Sequence, residues 1–341
     1  MKKETTYHQD NESIIRSNTK NDFPDDLRPK TLDSFIAQQN IKDNLKVFIQ
    51  SAKYRGTTMD HVILYGPPGL GKTTLANIVA KELLVNIHIT SGPILTKVGD
   101  IATLLTNCKT GDVIFIDEIH RLHRNVEEAL YPALEDFALD IIIGSGVAAK
   151  TIRVDLPKFT LIGATTRLGL LSNPLRDRFG IPLQLTFYSE DNLFLLLERA
   201  AKLLDIYYEI QALKQIACCS RGTPRIALRL LKRIRDFYAV SPDIQVITQE
   251  FVIKVLSSLG VDNHGLDQAD YKYLRFIADN YQENPVGIST ISAALYEKAQ
   301  DIEETIEPYL IKCGFVMRTS KGRVLSKNGL AYINKNRDVL E

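Results

Sequence analysis

Net charge is almost absent from this chain: 42 Lys and Arg stand against 41 Asp and Glu, a formal balance of +1 over 341 residues. No global field draws it to nucleic acid or to an acidic membrane, so any site for a polyanion must be local. Cysteine is scarce too. Cys108, Cys218, Cys219 and Cys313 fall in no C-x-x-C or Cys/His spacing, which argues against a zinc module and a disulfide framework and fits a reducing cytoplasm. Nothing approaches the roughly 18 consecutive apolar residues of a membrane span. The first 22 residues mix Lys, Glu, Asn, Asp and Thr without the apolar centre of a secretory signal. They read as a flexible tail, with partner docking as the alternative.

What is present is an apolar content of 45 per cent, enough for the buried cores of two or three domains. From His61 short apolar runs alternate with helical patterns, the signature of a parallel sheet flanked by helices. Strands are expected at His61 to Tyr65, Val85 to Ile89, Val113 to Ile116, Phe159 to Ala164 and Leu183 to Leu185. Each is short and rich in Val, Ile, Leu or Phe, as strands buried on both faces tend to be. Residues 23–188 are therefore expected to form a doubly wound α/β domain.

Between the third and fourth strands, Leu139 to Val154 reads as a hairpin or loop excursion around Gly144-Ser145-Gly146. Ile141, Ile142, Ile143 and Val147 beside that turn either pack inward or meet a partner protein. After Tyr188 the strand signals stop. Asp191 to Leu204, Gln211 to Ser220, Pro224 to Tyr238 and Thr248 to Leu259 show helical spacing, giving a small helical lid over 189–262. A polar patch, Val261 to Gly265, leads to a third unit, 263–336. Its helices, followed by strands at Phe315 to Thr319 and Arg323 to Leu325 around Ser320-Lys321-Gly322, suggest a winged helix.

Gly66-Pro67-Pro68-Gly69-Leu70-Gly71-Lys72-Thr73 matches G-x-x-x-x-G-K-[ST] between a predicted strand and a predicted helix, the context a phosphate-binding loop needs. Glycines let backbone N–H groups converge on phosphate oxygens, and the helix N-terminus adds a favourable dipole. Lys72 neutralises β and γ charge, and the Thr73 hydroxyl ligates Mg2+. Val113 to Ile116 then ends in Asp117-Glu118, two carboxylates where an α/β sheet presents its ligands. Asp117 would hold the metal shell; Glu118 would orient and polarise the attacking water.

Three further segments point to an ATPase that works as a ring. Gly163-Ala164-Thr165-Thr166-Arg167 ends the fourth strand with hydroxyls that could sense the γ-phosphate, Thr166 standing where related ATPases often have Asn. Leu175-Arg176-Asp177-Arg178-Phe179-Gly180 sets two arginines in a turn, where surface ion pairs are the plain reading. Gly222-Thr223-Pro224-Arg225 opens a helix with an arginine able to fold over a nucleotide. An arginine finger from a neighbouring subunit is worth roughly 10³ to 10⁵ in rate.

From Leu27-Arg28-Pro29 through Arg323 the chain resembles the RuvB family, bacterial Holliday-junction branch-migration ATPases of the AAA+ class. GPPGLGKTTLANIVA, FIDEIHRL, LYPALEDF, FTLIGATTR, PLRDRFGI, RGTPRIA and EPYLI-x-x-GF-x-x-RT carry the resemblance. It implies an AAA+ domain, a lid and a winged helix. The assembly implied is a hexameric ring around duplex DNA that couples ATP hydrolysis to translocation at a four-way junction, in recombination, repair and the SOS response. By matching positions, Leu27 and Arg28 border the adenine, while Gly69, Gly71, Lys72, Thr73 and Thr74 hold phosphates and Mg2+. Glu135, Asp136, Phe137, Tyr188 and Arg225 complete the nucleotide pocket. Arg178 becomes the better finger candidate, acting in trans. The 139–154 excursion would contact a RuvA-type junction-binding protein, and a RuvC-type resolvase is a further partner the family suggests. Arg318 and Arg323, with Lys321 between them, match the DNA-contacting wing.

Charge along the chain agrees with a local polyanion site. Asn263 to Ile311 holds three basic and nine acidic residues, whereas Lys312 to Glu341 holds seven basic and two acidic. A basic strip thus falls where a wing would lie, suited to phosphate contacts without base reading. One departure from the family is Ala299, where an arginine is usual; Lys298 beside it could substitute. Two other functions use the same loop. A small-molecule kinase leaves the basic wing without a role, and an ATP-gated DNA-binding scaffold has no use for Glu118.

Overall fold

A computed structural model describes residues 27–143, 150–282 and 284–336. The N-terminal segment read as a tail and the turn of the excursion, with Gly144 to Val147, lie outside the described residues. The chain divides into two compact units, one ending at Tyr188 and the other beginning at Ser189.

The first unit runs α1 (Gln39–Arg55), β1 (Val62–Tyr65), α2 (Lys72–Leu83), β2 (Ile87–Ser91), α3 (Val98–Thr106), β3 (Val113–Asp117) and α4 (Arg124–Glu135). It continues through β4 (Ala138–Ile143), β5 (Lys150–Asp155), β6 (Thr160–Thr165), α5 (Asn173–Asp177) and β7 (Ile181–Gln184). Five strands form a parallel sheet in the order β2-β3-β6-β1-β7. Val113, Ile114, Phe115 and Ile116 of β3 are all 0 % exposed, which only helices on both faces can achieve. All five expected strands are present, their ends shifted by one or two residues.

Because the strands are parallel, their carboxyl ends share one edge. Tyr65 pairs with Thr165, and Ser91 with Asp117. The loop after β1, the acids after β3 and the threonines after β6 are thereby brought together by topology alone.

The excursion is a separate antiparallel hairpin, β4 with β5, in register from Ala138 opposite Asp155 to Ile143 opposite Lys150. Ile141 and Ile152 face each other across it. Ile141 packs against the sheet's core, while Ile152 is 46 % exposed.

The second unit begins with four helices, α6 (Glu190–Leu203), α7 (Ile210–Cys219), α8 (Pro224–Ala239) and α9 (Gln249–Ser258), close to the spacing-derived expectations. Ser189 and Thr248 cap α6 and α9 by accepting N–H bonds from Asn192 and Phe251, both at 3.2 Å. Then follow α10 (Gln268–Asn280), α11 (Ile288–Leu295) and α12 (Ala299–Asp301), which passes through a π-helical turn, Ile302–Ile306, into α13 (Glu307–Lys312). The hairpin β8 (Val316–Thr319) and β9 (Gly322–Leu325) comes next, and α14 (Lys327–Lys335) ends the described chain. Sequence patterning did not single out α14; its Ile333 closes the wing module's core with Leu274, Ile277, Ile291 and Leu310.

Candidate active site

Gly66 leaves β1 at φ 139, and a Cβ on it would sit 2.3 Å from the Leu185 carbonyl oxygen. Only glycine lets the loop turn there. Gly69 and Gly71 complete the turn, and Gly71 is the N-cap of α2. Lys72 opens that helix, 8 % exposed, and its ammonium donates to the carbonyls of Gly66 at 2.8 Å and Pro67 at 2.9 Å. These bonds hold the positive charge over the loop, where the first N–H groups of α2 also point. Thr73 and Thr74 follow in the first turn. Tyr188 is buried, its hydroxyl 3.4 Å from the Leu70 carbonyl, and burial pushes its phenol above the ordinary value. Leu27 is buried and Arg28 exposed where the described chain begins.

Asp117 ends β3 and accepts the Glu118 N–H at 3.0 Å. Glu118 is in the left-handed region at φ 47, which turns its side chain out of the strand direction. There its carboxylate meets Arg121 at 2.8 Å in a half-exposed ion pair. Arg121 was not singled out from sequence, although it stands three residues on in the same motif. His120, also missed, lies 2.9 Å through Nδ1 from the Thr165 hydroxyl. That hydroxyl further accepts the Arg167 N–H at 3.0 Å. The neighbouring Thr166 Oγ1 is buried and has no hydrogen-bond partner among the described residues.

The other proposed pocket residues lie elsewhere. α4 runs from the carboxyl edge of the sheet back to the amino edge, where the Leu134 carbonyl meets Nε2 of His61, the residue before β1, at 3.1 Å. Glu135, Asp136 and Phe137 therefore stand at the opposite end of the sheet from the phosphate loop of the same chain. Asp136 pairs with Arg153 of the hairpin at 2.6 Å, and the Phe137 ring packs edge-on to Phe159 at 5.7 Å. Arg178, just ahead of β7, shares this edge. Its guanidinium reaches Glu135 at 3.0 Å and the Pro174 carbonyl at 2.6 Å, and lies 4.6 Å from the centre of the Tyr131 ring. Arg176 is exposed. The structure thus joins Lys72, Thr73, Asp117, Glu118 and Thr166 at one edge and Glu135 with Arg178 at the other.

In the second unit Arg225 is exposed in the first turn of α8. On the wing, Lys321 is exposed at the β8–β9 turn, and Arg318 has a 45 % exposed side chain. Arg323 is mostly enclosed at 12 %, bonding Glu307 at 2.8 Å and Glu303 at 2.6 Å. Arg318 also reaches Glu307, at 2.5 Å, and that carboxylate is fully buried. Arg323 therefore serves first as a counter-ion that lets Glu307 be buried, and less as a free basic group than its place on the wing suggested.

Residues 27–185 match the Holliday junction DNA helicase RuvB P-loop domain, 188–262 the RuvB AAA lid domain, and 263–334 the RuvB C-terminal winged helix domain. The Holliday junction branch migration complex subunit RuvB of Ehrlichia canis (strain Jake) is 57 % identical over 309 residues, 91 % of this chain and 93 % of that protein. That of Neorickettsia sennetsu is 58 % identical over 308 residues, 90 % and 93 % of the two chains. Among solved structures, Thermotoga maritima RuvB, described as a Holliday junction branch migration motor, is similar with a TM-score of 0.83 and 48 % identity. That likeness covers 90 % of this chain and 98 % of the other.

Proposed function

The chain belongs to the RuvB family and is a P-loop AAA+ ATPase, and from that premise we propose that it drives Holliday-junction branch migration as a hexameric ring fuelled by ATP and Mg2+. In this reading an ATPase domain spans 23–188, a lid 189–262 and a DNA-binding wing module 263–336. The donor set fits the nucleotide and metal. Lys72 and the N–H groups of α2 hold the phosphates, Thr73 and Asp117 offer hard oxygen donors to a divalent cation, and the buried Thr166 hydroxyl is left to donate to a γ-phosphate oxygen. Mg2+ would offset charge on the β- and γ-phosphates. Glu118 polarises the attacking water from its half-exposed position beside Arg121.

The observation that carries the ring is the split between the two edges. Arg178 and Glu135 lie a full strand length from their own phosphate loop, so Arg178 serves the site of a neighbouring subunit, with Glu135, Asp136 and Phe137 on the same intersubunit face. Exposed Ile152 supports a RuvA-type contact through the hairpin. Arg318 and Lys321 lead the phosphate contacts of the wing, and Arg323 shapes them from beneath.

Replacing Lys72 by Ala tests the site. The variant should fold and melt as wild type, yet release no phosphate from ATP and move no junction; retained turnover would sink the assignment. Wild-type phosphate release measured with and without a four-way junction separates the remaining possibilities. Release that DNA leaves unchanged speaks for a kinase-like enzyme, and no release at all for an ATP-gated scaffold.

A further inference from the structure

The two arginines of the 175–180 turn have different settings. Arg176 is exposed, whereas the Arg178 side chain is only 18 % exposed. Each of its guanidinium nitrogens is engaged within its own chain: Nε with the Tyr131 carbonyl at 3.4 Å, Nη1 with the Pro174 carbonyl at 2.6 Å and Nη2 with Glu135 at 3.0 Å. The fork keeps one further N–H on each Nη, the pair that a phosphate accepts side by side. The guanidinium carbon stands 4.6 Å from the centre of the Tyr131 ring, so an aromatic face sets the plane in which the fork lies.

The ring is itself held. Its hydroxyl donates to the Glu127 carboxylate at 3.0 Å and lies 3.1 Å from the Ser172 hydroxyl. Burial pushes the phenol above its ordinary value, so it stays a donor. Ser172 also donates to Glu127, and it caps α5 by accepting the Leu175 N–H at 3.3 Å. Glu127 and Tyr131 stand one turn apart on α4 and meet Ser172 together. One carboxylate thus ties the ring to the cap of the short helix that delivers Arg178.

We propose that Tyr131 is a positioning residue for the arginine finger: its ring, anchored through Glu127 and Ser172, fixes the Arg178 guanidinium in the plane from which it meets a neighbouring subunit's γ-phosphate. The platform rests on the functional reading above, in which Arg178 acts in trans. A fork already turned does not have to be ordered from a long, freely rotating side chain when hydrolysis begins. Sequence offers Arg176 and Arg178 alike, and the aromatic face singles out Arg178.

Tyr131→Met in the full-length protein keeps much of the side chain's bulk and removes the aromatic face. Phosphate release, the KM for ATP and melting are measured on it, on Tyr131→Phe, and on Glu127→Ala, which loosens the anchor and serves if Tyr131→Met does not fold. Release at saturating ATP should fall at least about tenfold in Tyr131→Met with KM within about twofold of wild type, because the finger acts in the transition state. Tyr131→Phe keeps the face and should stay within about threefold of wild type, with Glu127→Ala between the two. Mixed with Lys72→Ala protein, Tyr131→Met subunits should regain release, since the intact Arg178 of the Lys72→Ala subunits then serves their sites. A merely structural defect stays in its own subunit and is not rescued by mixing. The platform is overturned by wild-type release from Tyr131→Met, or from Glu127→Ala where Tyr131→Met does not fold, by equal loss in Tyr131→Phe, or by a loss that mixing does not restore. Arg178→Ala rings that hydrolyse ATP normally overturn the trans finger and the platform with it, whereas a disabled Arg178→Ala beside an active Tyr131→Met sinks the platform alone.

Discussion

At Thr165 the hydroxyl is engaged by His120 and by the Arg167 N–H, whereas one residue on the buried Thr166 Oγ1 has no partner among the described residues. Sequence could not divide these two identical side chains, because the alternation that turns one toward His120 and the other away is a property of the strand's end. Thr165→Val should cost about 1–3 kcal/mol of stability by removing the hydroxyl that bonds His120 and accepts the Arg167 N–H. Thr166→Val removes no internal bond. It should leave the melting temperature near wild type and lower phosphate release on the order of 10²; the opposite pattern would reverse the two roles. His61 gives a second test. Its ring is held neutral, Nε2–H donating to Leu134 at 3.1 Å and Nδ1 accepting the Leu161 N–H at 3.0 Å. Burial lowers its pKa below the ordinary 6.5, so the unfolded chain binds the proton more readily than the folded one. Stability is therefore intact well above 6.5 and falls as pH drops through that value toward the lowered one, at up to about 1.4 kcal/mol per pH unit. Urea midpoints compared with a His61→Gln variant isolate this slope, and equal slopes would refute it.

Among the elements, the wing hairpin shows how a charge pattern is both legible and misleading. Seven basic against two acidic residues after Ile311 mark a polyanion surface, and nine acids before it suggest a separate acidic face. Folding lays one across the other: Glu307 on α13 accepts from Arg318 at 2.6 Å, Arg323 at 2.8 Å and Tyr273 at 3.1 Å. Glu307→Gln leaves two guanidinium groups short of a counter-charge and should destabilise the wing module by about 3–5 kcal/mol, weakening DNA binding indirectly. Lys321→Ala should leave melting unchanged while lowering DNA affinity uniformly across sequences and reducing the salt slope by about 1. Calorimetry and salt titrations separate the two effects; an unaltered salt slope would remove Lys321 from the interface.

For the whole molecule the decisive test is mixing subunits. Rings made only of Arg178→Ala should lose hydrolysis by roughly 10³ or more, while the same subunits mixed with Lys72→Ala protein should regain part of it, each variant supplying what its neighbour lacks. No recovery at any ratio would place both residues in one subunit's site. The phosphate loop, the acids at the end of β3 and the threonines at the end of β6 were readable from sequence, because each depends on a local pattern: glycines at fixed spacing, or a polar residue after a buried run. The parallel sheet, the helical module and the wing were readable as well, since hydrophobic periodicity reports them directly. Two things waited for the tertiary structure: Glu135 and Arg178 at the far edge of the sheet, and Glu307 beneath the wing. Each joins residues that are distant along the chain or buries a charge against its partner. Local pattern carries no record of which opposite charge will lie within 3 Å once the chain has folded.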